Sequence, residues 1–306
     1  MLLLLAQPAF ARQPAPRSSS PQFEALPLDR SAQNHLIVRA FINGKPARLA
    51  VDTGAPVSAI AANRRVHFGV PFISDTSKLP PRIIINGAFS SVGIAKTLRI
   101  GALTLVDEPM VAINLGPESR AARIRGEQEI DGILGADILF PTRAVLDCQR
   151  QLLILNLDPD SQRATPGVDY TGLASLPIHV SDGYNLYVDG AVNGAPGQLL
   201  VDTGAFATLL HRPFVQQMKI PMRRTRLVSA GVNTLQTRVQ VARIRRLSVG
   251  EVNVVGHYVG VIDLASLLGD RVLAGKRPVV GLLGGELLRS LHGIIDFGTR
   301  RLYLKG

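Results

Sequence analysis

Apolar residues along the chain form short runs separated by Gly, Asn and Pro, a pattern that predicts β-strands joined by tight turns. Two of these runs end in an Asn-Gly pair: residues 36–42 before Asn43-Gly44, and residues 186–192 before Asn193-Gly194. Asn and Gly both tolerate the positive φ angles of a type I′ turn. We therefore expect a β-hairpin at each pair.

The chain also carries an internal repeat. Residues 35–60 align with residues 185–210 at a shift of 150, with 11 identities in 26 positions. A second pair of segments, residues 132–139 and 281–288, repeats at a shift of 149. Because the two shifts are nearly equal, the chain is expected to be a duplication of one unit.

The duplication predicts two homologous lobes, over residues 31–157 and 171–306. Between them, residues 158–170 are polar with Pro and Gly, as is typical of a linker. Within each lobe the short apolar runs broken by Gly favour an all-β structure. Short helices are expected only after each repeat motif, near residues 59–65 and 213–219.

The N-terminal residues differ in composition from both lobes. Residues 1–11 form a Leu-rich run ending in Ala9-Phe10-Ala11, the small-x-small form that signal peptidase cuts. The basic start of a signal peptide is missing, so we expect a truncated signal; a frayed apolar terminus with no targeting role is the alternative. Residues 12–30, rich in Pro, Ser and Gln, predict a disordered leader. The expected location is periplasmic or secreted.

Composition narrows the functional classes. The formal charge is +11, but no aromatic residues interleave with the Arg clusters, so we expect a solvated basic face and no nucleic-acid partner. The six His are scattered without metal-binding spacing, and no phosphate-binding Gly motif occurs, so neither metal nor cofactor is expected. The single cysteine, Cys148, is expected in the core.

Each copy of the repeat contains Asp-Thr-Gly-Ala, headed by Asp52 in the first and Asp202 in the second. Hydrolysis of a peptide bond without a metal or a nucleophilic side chain needs a carboxylate to activate water and an acid to protonate the carbonyl oxygen. Two carboxyl groups about 3 Å apart supply both, because like charges so close cannot both ionise. Asp52 and Asp202 are therefore the candidate catalytic pair.

The other motif residues suit the same chemistry. Gly54 and Gly204 allow a tight turn that brings amide donors near the carboxylates. Thr53 and Thr203 carry short hydroxyls that can lock two such loops together. A single Asp-Thr-Gly is a weak signal of a catalytic site. Two such motifs at equivalent positions of a duplicated unit are a specific signal.

With two motifs in register, the chain resembles the aspartic peptidases of the pepsin and retropepsin superfamily. In that family a hydroxyl residue six positions past each Asp and a later apolar-apolar-Gly segment support the catalytic loop. The resemblance implies a two-lobed acid-protease barrel with the active site between the lobes, and aspartic endopeptidase activity. By this resemblance the loop-supporting residues are Thr53, Gly54, Ala55, Ser58, Thr203, Gly204, Ala205, Thr208, Gly135 and Gly284.

Ala55 and Ala205 stand where pepsin itself has Ser, so the subtype looks more like retropepsins and bacterial relatives. A Ser hydroxyl there would donate to a carboxylate and lower its pKa, which Ala cannot do. We therefore expect activity nearer to neutral pH than that of a Ser-bearing relative.

Family members also cover the cleft with a Gly-rich hairpin, the flap. The candidates here are residues 86–91 and 229–234, with Gly87, Phe89 and Gly231 as flap residues. No Tyr matches the flap position of pepsin.

Four further acidic residues recur in register. Asp147 and Asp296 precede turns and are expected to cap them. Asp137 and Glu286 follow the supporting Gly and are expected to start short helices.

Three functions stay open at this point. The first is an active endopeptidase whose lobes pair within one chain, so that a monomer cleaves a peptide or protein substrate. The second is a non-catalytic peptide-binding protein with the same fold. The third is a basic protein that binds acidic polymers and carries vestigial motifs.

Overall fold

The computed structural model describes residues 22–72, 84–85, 88–89, 91–115, 130–158, 164–181, 184–229, 237–265 and 278–306. In the first half the elements are β1 (Phe23–Pro27), β2 (Asp29–Arg30), β3 (Leu36–Ile42), β4 (Lys45–Val51), β5 (Ala59–Ala61), α1 (Arg65–Phe68), β6 (Ile84–Ile85), β7 (Ala88–Phe89), β8 (Val92–Ile100), β9 (Leu103–Ile113), β10 (Gly132–Leu134), α2 (Ala136–Leu139), β11 (Val145–Asp147) and β12 (Leu152–Asn156).

In the second half they are β13 (Ala174–Pro177), β14 (His179–Val180), β15 (Leu186–Val192), β16 (Ala195–Val201), β17 (Leu209–His211), α3 (Arg212–Gln217), β18 (Met222–Ser229), β19 (Thr237–Arg243), β20 (Arg246–Val249), β21 (Val252–Val255), β22 (Tyr258–Ile262), β23 (Val279–Leu283), α4 (Gly285–Ser290), β24 (Ile294–Asp296) and β25 (Arg301–Leu304). Strands predominate and every described helix is short, which confirms the all-β prediction.

Both predicted hairpins are present. Strand β3 pairs antiparallel with β4, and β15 pairs antiparallel with β16. The turn residues have positive φ, 50° at Asn43 and 77° at Gly44, then 51° at Asn193 and 92° at Gly194. These angles are those that a tight hairpin turn demands, which is why Asn-Gly occurs in both copies.

Each lobe is built on one sheet that ends at its motif. In lobe one the strand order is β2-β3-β4-β10-β5-β9-β8. In lobe two a ten-stranded sheet follows the path β18-β19-β22-β17-β23-β16-β15-β20-β21, with β14 added beside β15. The strand before each motif runs parallel to the strand of the later apolar segment, β4 beside β10 and β16 beside β23. The second repeated segment therefore lies directly next to the first.

A third sheet joins the lobes. Its order is β1-β12-β11-β24-β25-β13, and strands β11 and β24 come from the two copies of the repeat. They pair antiparallel with Leu146 opposite Ile295, and both side chains are fully buried. The largest hydrophobic cluster likewise contains buried residues of both halves. The two lobes thus share one core.

Two expectations about the first half were wrong. Residues 23–30, assigned to a disordered leader, contain strands β1 and β2, because β1 gains a complete antiparallel partner in β12 that local composition could not reveal. The helix expected near residues 59–65 starts only at Arg65. Residues Ala59–Ala61 form β5 instead, since all three are buried between β9 and β10.

The other N-terminal and flap predictions fall largely outside the described residues. These are residues 1–21, residues 86, 87 and 90 of the first flap candidate, including Gly87, and residues 230–236, including Gly231. Phe89 is in β7, opposite Ile84 of β6. Among the described residues, no helix has the length and apolar character needed to cross a membrane.

Candidate active site

The two Asp-Thr-Gly loops begin where β4 and β16 end. The amide of Asp52 donates to the carbonyl of Leu134 at 3.0 Å, and the amide of Asp202 donates to Leu283 at 3.1 Å. These bonds extend the parallel pairing by one residue past each strand, so each Asp side chain is held at a sheet end rather than on a free loop. The supporting apolar segment of each lobe therefore sets the position of its carboxylate.

Within its own loop each carboxylate accepts amide hydrogen bonds. Oδ1 of Asp52 accepts the Gly54 amide at 2.8 Å. Oδ1 of Asp202 accepts the amides of Gly204 and Ala205, both at 2.9 Å. Bonds of this kind favour the charged carboxylate and fix its orientation.

The glycines of the two motifs allow the loops to cross. A Cβ atom added to Gly54 would lie 2.6 Å from Cγ of Asp202, and one added to Gly204 would lie 2.4 Å from Cγ of Asp52. Each Gly therefore packs directly against the carboxyl group of the opposite lobe. Any larger residue would meet the carboxyl group of the opposite lobe and push the two loops apart.

Thr53 and Thr203 lock the loops together. The hydroxyl of Thr53 donates to the carbonyl of Val201 at 2.7 Å, and that of Thr203 donates to Val51 at the same distance. Each hydroxyl also accepts the amide of the other Thr at 3.1 Å. Both residues are buried, so this network has no competition from water.

A second ring of contacts supports each loop from behind. The hydroxyl of Ser58 accepts the amide of Gly135 at 3.0 Å, and that of Thr208 accepts the amide of Gly284 at 3.1 Å. These are the pairs that the family resemblance had grouped together. They tie the segment after each motif to the Gly that precedes α2 in lobe one and α4 in lobe two.

Sequence reasoning missed the role of Asp137 and Glu286 in this ring. Both lie in the first turn of a short helix, as expected. Their carboxylates also accept hydrogen bonds from the two residues that carry the supporting hydroxyls. Asp137 accepts the Ser58 hydroxyl at 2.7 Å, and Glu286 accepts the Thr208 amide at 2.7 Å. Their recurrence in register at a shift of 149 was the signal that could have revealed this.

Burial governs the protonation of the pair. Loss of hydration raises the pKa of Asp52, and the Gly54 amide partly opposes this effect. Burial raises the pKa of Asp202 well above its ordinary range, and the neighbouring charge of Asp52 raises it further. One proton is therefore retained between the two groups at pH values where isolated carboxyls would both be ionised.

Asp147, Asp296 and Cys148 have structural roles. Asp147 accepts the Arg150 amide at 2.8 Å and Asp296 accepts the Thr299 amide at 2.9 Å, which confirms that both cap turns. Cys148 is buried in the core, and burial raises the pKa of its thiol to about 12. In the described part of the chain, no three His, Cys, Asp or Glu side chains are grouped as a metal site would require.

Comparison with known proteins matches both halves of the chain to the same protein family. The profile of a family described as aspartyl protease matches residues 38–138 and 188–287. The matched segments include both Asp-Thr-Gly loops and both supporting segments. No match was found among curated protein sequences.

Three solved structures are similar to this chain, and the soybean protein, with a TM-score above 0.5, supports the fold. Basic 7S globulin from soybean is 12% identical with a TM-score of 0.51, covering 93% of this chain and 95% of that one. Aspartic proteinase from Irpex lacteus is 14% identical with a TM-score of 0.47, covering 92% and 97%. A retropepsin-like aspartic protease from Rickettsia conorii is 20% identical with a TM-score of 0.32, covering 43% of this chain and 90% of its own.

Proposed function

Because the chain belongs to the aspartyl protease family, we propose that it is an active aspartic endopeptidase in which both lobes of one chain form a single site. The observation that carries the proposal is the crossed packing of the two loops, in which Gly54 lies against the carboxyl group of Asp202 and Gly204 against that of Asp52, while each carboxylate accepts amides of its own loop. The hydrogen bonds of Thr53, Thr203, Ser58 and Thr208 to the two loops support it further.

The proposed reaction uses the pair as base and acid. The ionised carboxyl takes a proton from a water molecule while the water oxygen bonds to the scissile carbonyl carbon. The protonated carboxyl gives its proton to the carbonyl oxygen, which yields a tetrahedral diol. The protonated carboxyl then gives its proton to the amide nitrogen while the ionised carboxyl takes a proton from a diol hydroxyl, so the carbon–nitrogen bond breaks, the product carboxyl group forms and the pair again holds one proton.

The proposed substrate is an extended peptide or protein segment bound between the lobes. An extended segment can pair with strand edges through its main chain, so side-chain pockets would set the preference for particular sequences. Since the two motifs of one chain suffice for the site, we propose a monomer.

The test is cleavage of a diverse peptide library by the wild type and by Asp52→Asn and Asp202→Asn, from acid to neutral pH. Each variant keeps the shape of the site and removes one ionisable group. We expect cleavage by the wild type, loss of cleavage in both variants, and inhibition by a statin-type transition-state mimic. A wild type that cleaves no peptide but binds peptides as tightly as Asp52→Asn does would favour a non-catalytic binding protein instead.

The proposed location is the periplasm or the exterior of the cell, on the strength of the Leu-rich start and Ala9-Phe10-Ala11. Expression with and without residues 1–11, followed by fractionation, tests this. Equal retention of both forms inside the cell would contradict it.

A further inference from the structure

A cationic surface lies at one end of the lobe-two sheet, where β19 ends and β20 begins. It is made of exposed side chains from β19, β20, β21, β22 and the link between β19 and β20: Arg243, Arg245, Arg246, Val255 and Tyr258. We call these five residues the arginine patch. Val255 is 74% exposed and Tyr258 is 60% exposed, so the patch offers apolar as well as charged area.

Strand pairing brings the patch together. Arg243 lies opposite Tyr258 in the β19–β22 pair, and Arg246 lies opposite Val255 in the β20–β21 pair. Side chains that face each other across antiparallel strands are in contact range. The guanidinium of Arg243 lies 6.0 Å from the centre of the Tyr258 ring, at the outer limit of a cation–π contact. Each apolar side chain of the patch is therefore paired with an arginine.

An asparagine holds the main chain that carries the arginines. The side-chain oxygen of Asn193 accepts the amides of Arg245 and Arg246 at 2.8 Å and 3.1 Å, and the Asn193 amide donates to the Arg246 carbonyl at 2.8 Å. In lobe one the side-chain oxygen of Asn43 accepts the Thr97 amide at 3.0 Å, and the Asn43 amide donates to the Thr97 carbonyl at 2.9 Å. The patch is thus built on a feature that both lobes share.

Lobe one forms this feature with a different set of side chains. At a shift of 149, the residues that stand at the five positions of the patch are Ile94, Lys96, Thr97, Val106 and Pro109. The exposed valine is kept, since Val106 is 69% exposed. One lysine replaces the three arginines, and the tyrosine is absent. Because lobe one makes the same strand pairs and the same asparagine link, the fold does not require the arginines.

The patch arginines have no acidic partner in the part of the chain that the structure describes, since none of the ion pairs between described residues includes them. The guanidinium of Arg243 reaches the carbonyl of Gly256, with Nε at 3.5 Å. Three guanidinium groups within four consecutive residues carry like charges that repel one another. An anionic partner would relieve this repulsion.

Other exposed arginines of the same sheet have an explanation within the fold. Arg223, Arg224 and Arg226 belong to β18, an edge strand that pairs with β19 alone among the described strands. Charged side chains and irregular pairing at an edge prevent other chains from adding to a sheet. Strand β18 has both, since its register shifts between Arg224 and Val228. Strands β19 and β20 each lie between two partners, so the patch arginines do not protect an edge.

We propose that the arginine patch is a docking site for an acidic segment of a partner protein. Guanidinium groups bind carboxylates through two parallel hydrogen bonds, so the segment matches the patch in charge and in geometry. Tyr and Arg are enriched among the side chains that dominate binding at protein interfaces. A polyanion without apolar groups would pair with the arginines and leave Val255 and Tyr258 uncovered, whereas a peptide with acidic and apolar residues meets both.

The docking site is remote from the catalytic loops. Asn193 precedes β16, and the Asp202 loop follows it. Strand β16 has seven residues. A strand of that length spans roughly 20 Å. A segment bound at the patch therefore leaves the site between the lobes open, and the proposal holds whether or not the chain cleaves peptides.

The test measures binding of a fluorescent peptide of alternating Glu and Val. All proteins carry Asp202→Asn, so that the probe stays intact. We expect Arg243→Gln/Arg245→Gln/Arg246→Gln to bind the peptide about tenfold more weakly than the parent, because three charge pairs are lost. Tyr258→Ala should bind it about threefold more weakly. A peptide of alternating Gln and Val is the control probe and should bind no protein.

The matched control protein is Arg223→Gln/Arg224→Gln/Arg226→Gln, which removes the same charge from β18. It should bind the Glu-Val peptide within about twofold of the parent, since only long-range attraction is reduced. Equal weakening in the two triple variants would show that net charge alone attracts the peptide, and would overturn the proposal. Equal binding of the two peptides by the parent, or no binding of either, would overturn it as well.

Two further probes separate the acidic segment from other anions. If heparin or phosphatidylglycerol vesicles bind through the patch arginines while the Glu-Val peptide does not bind, the partner is a polyanion or a membrane and the proposal is wrong. Arg245→Gln/Arg246→Gln is the second variant in case the triple variant does not fold, with an expected loss of about fivefold. A wild type that cleaves no peptide would defeat the proposed function alone, because binding at the patch needs no turnover.

Discussion

Thr53 and Thr203 exchange hydrogen bonds across the lobe interface, each hydroxyl accepting the other residue's amide at 3.1 Å. Each hydroxyl also donates to a carbonyl of the opposite strand at 2.7 Å. Four main-chain groups of the two loops are satisfied in this way within the buried interface. The separation of Asp52 and Asp202 therefore depends on the neighbouring threonines.

Replacing Thr203 by Val keeps the side-chain shape and removes its hydroxyl. The amide of Thr53 and the carbonyl of Val51 then lose partners inside the interface. We expect the free energy of unfolding to fall by about 2 kcal/mol or more, since each orphaned group costs roughly 1–3 kcal/mol. Urea unfolding measures it. Thr203→Ser retains the hydroxyl and is the control; equal losses in both variants would contradict this account.

Ser58 and Asp137 should act as a unit, because the Ser58 hydroxyl donates to Asp137 at 2.7 Å and accepts the Gly135 amide. In a double-mutant cycle of Ser58→Ala and Asp137→Asn we expect a coupling free energy of about 1 kcal/mol. Asp147→Asn shares no partner with Ser58, so its effect should add to that of Ser58→Ala within about 0.5 kcal/mol. If the effects are additive in both cycles, the hydrogen bond between Ser58 and Asp137 contributes nothing to the free energy of unfolding.

The raised pKa of Asp202 makes stability depend on pH. Its folded pKa lies above the unfolded value of 3.8, so the folded state binds the proton more tightly. The stability gained from this is complete below pH 3.8 and is lost as pH rises through the folded pKa. Asp202→Asn cannot ionise and should be more stable than the wild type at neutral pH.

Thermal unfolding of Asp202→Asn and of the wild type, at about pH 3.5 and at about pH 7, measures how the stability difference between them depends on pH. The advantage of the variant should be largest at the higher pH and should shrink in acid. A difference that is independent of pH would mean that packing, not ionisation, separates the two proteins.

Ala55 and Ala205 should set the acidic limit of activity in the proposed enzyme. In Ala55→Ser/Ala205→Ser a hydroxyl beside each carboxylate can donate to the charged form and lower its pKa. We expect the acid limb of kcat/KM to move downward by about 0.5 pH unit. The control is Ala55→Cys/Ala205→Cys, since a thiol has similar size and is a weak donor. A wild-type profile that already peaks below about pH 3 would contradict the premise.

The fold class and the repeat could be predicted from the sequence because they rest on local signals. The positive φ angles of Asn43 and Asn193 follow from the Asn-Gly pairs alone, and both hairpins are present. The family of the chain could also be predicted from the two motifs and their equivalent positions in the repeat. Residues 23–30 were misassigned because β1 owes its structure to β12, which lies more than a hundred positions away in the chain.

Sequence by itself determined which residues form the loops, since Asp-Thr-Gly and its supporting Gly are patterns of neighbouring residues repeated at a fixed shift. Only the tertiary structure decided which residues of the two copies meet. It placed Gly54 against Asp202 and Gly204 against Asp52, and it added the carboxylates of Asp137 and Glu286 behind the loops. These are contacts between distant segments, and they depend on how closely two lobes pack, which no local pattern encodes.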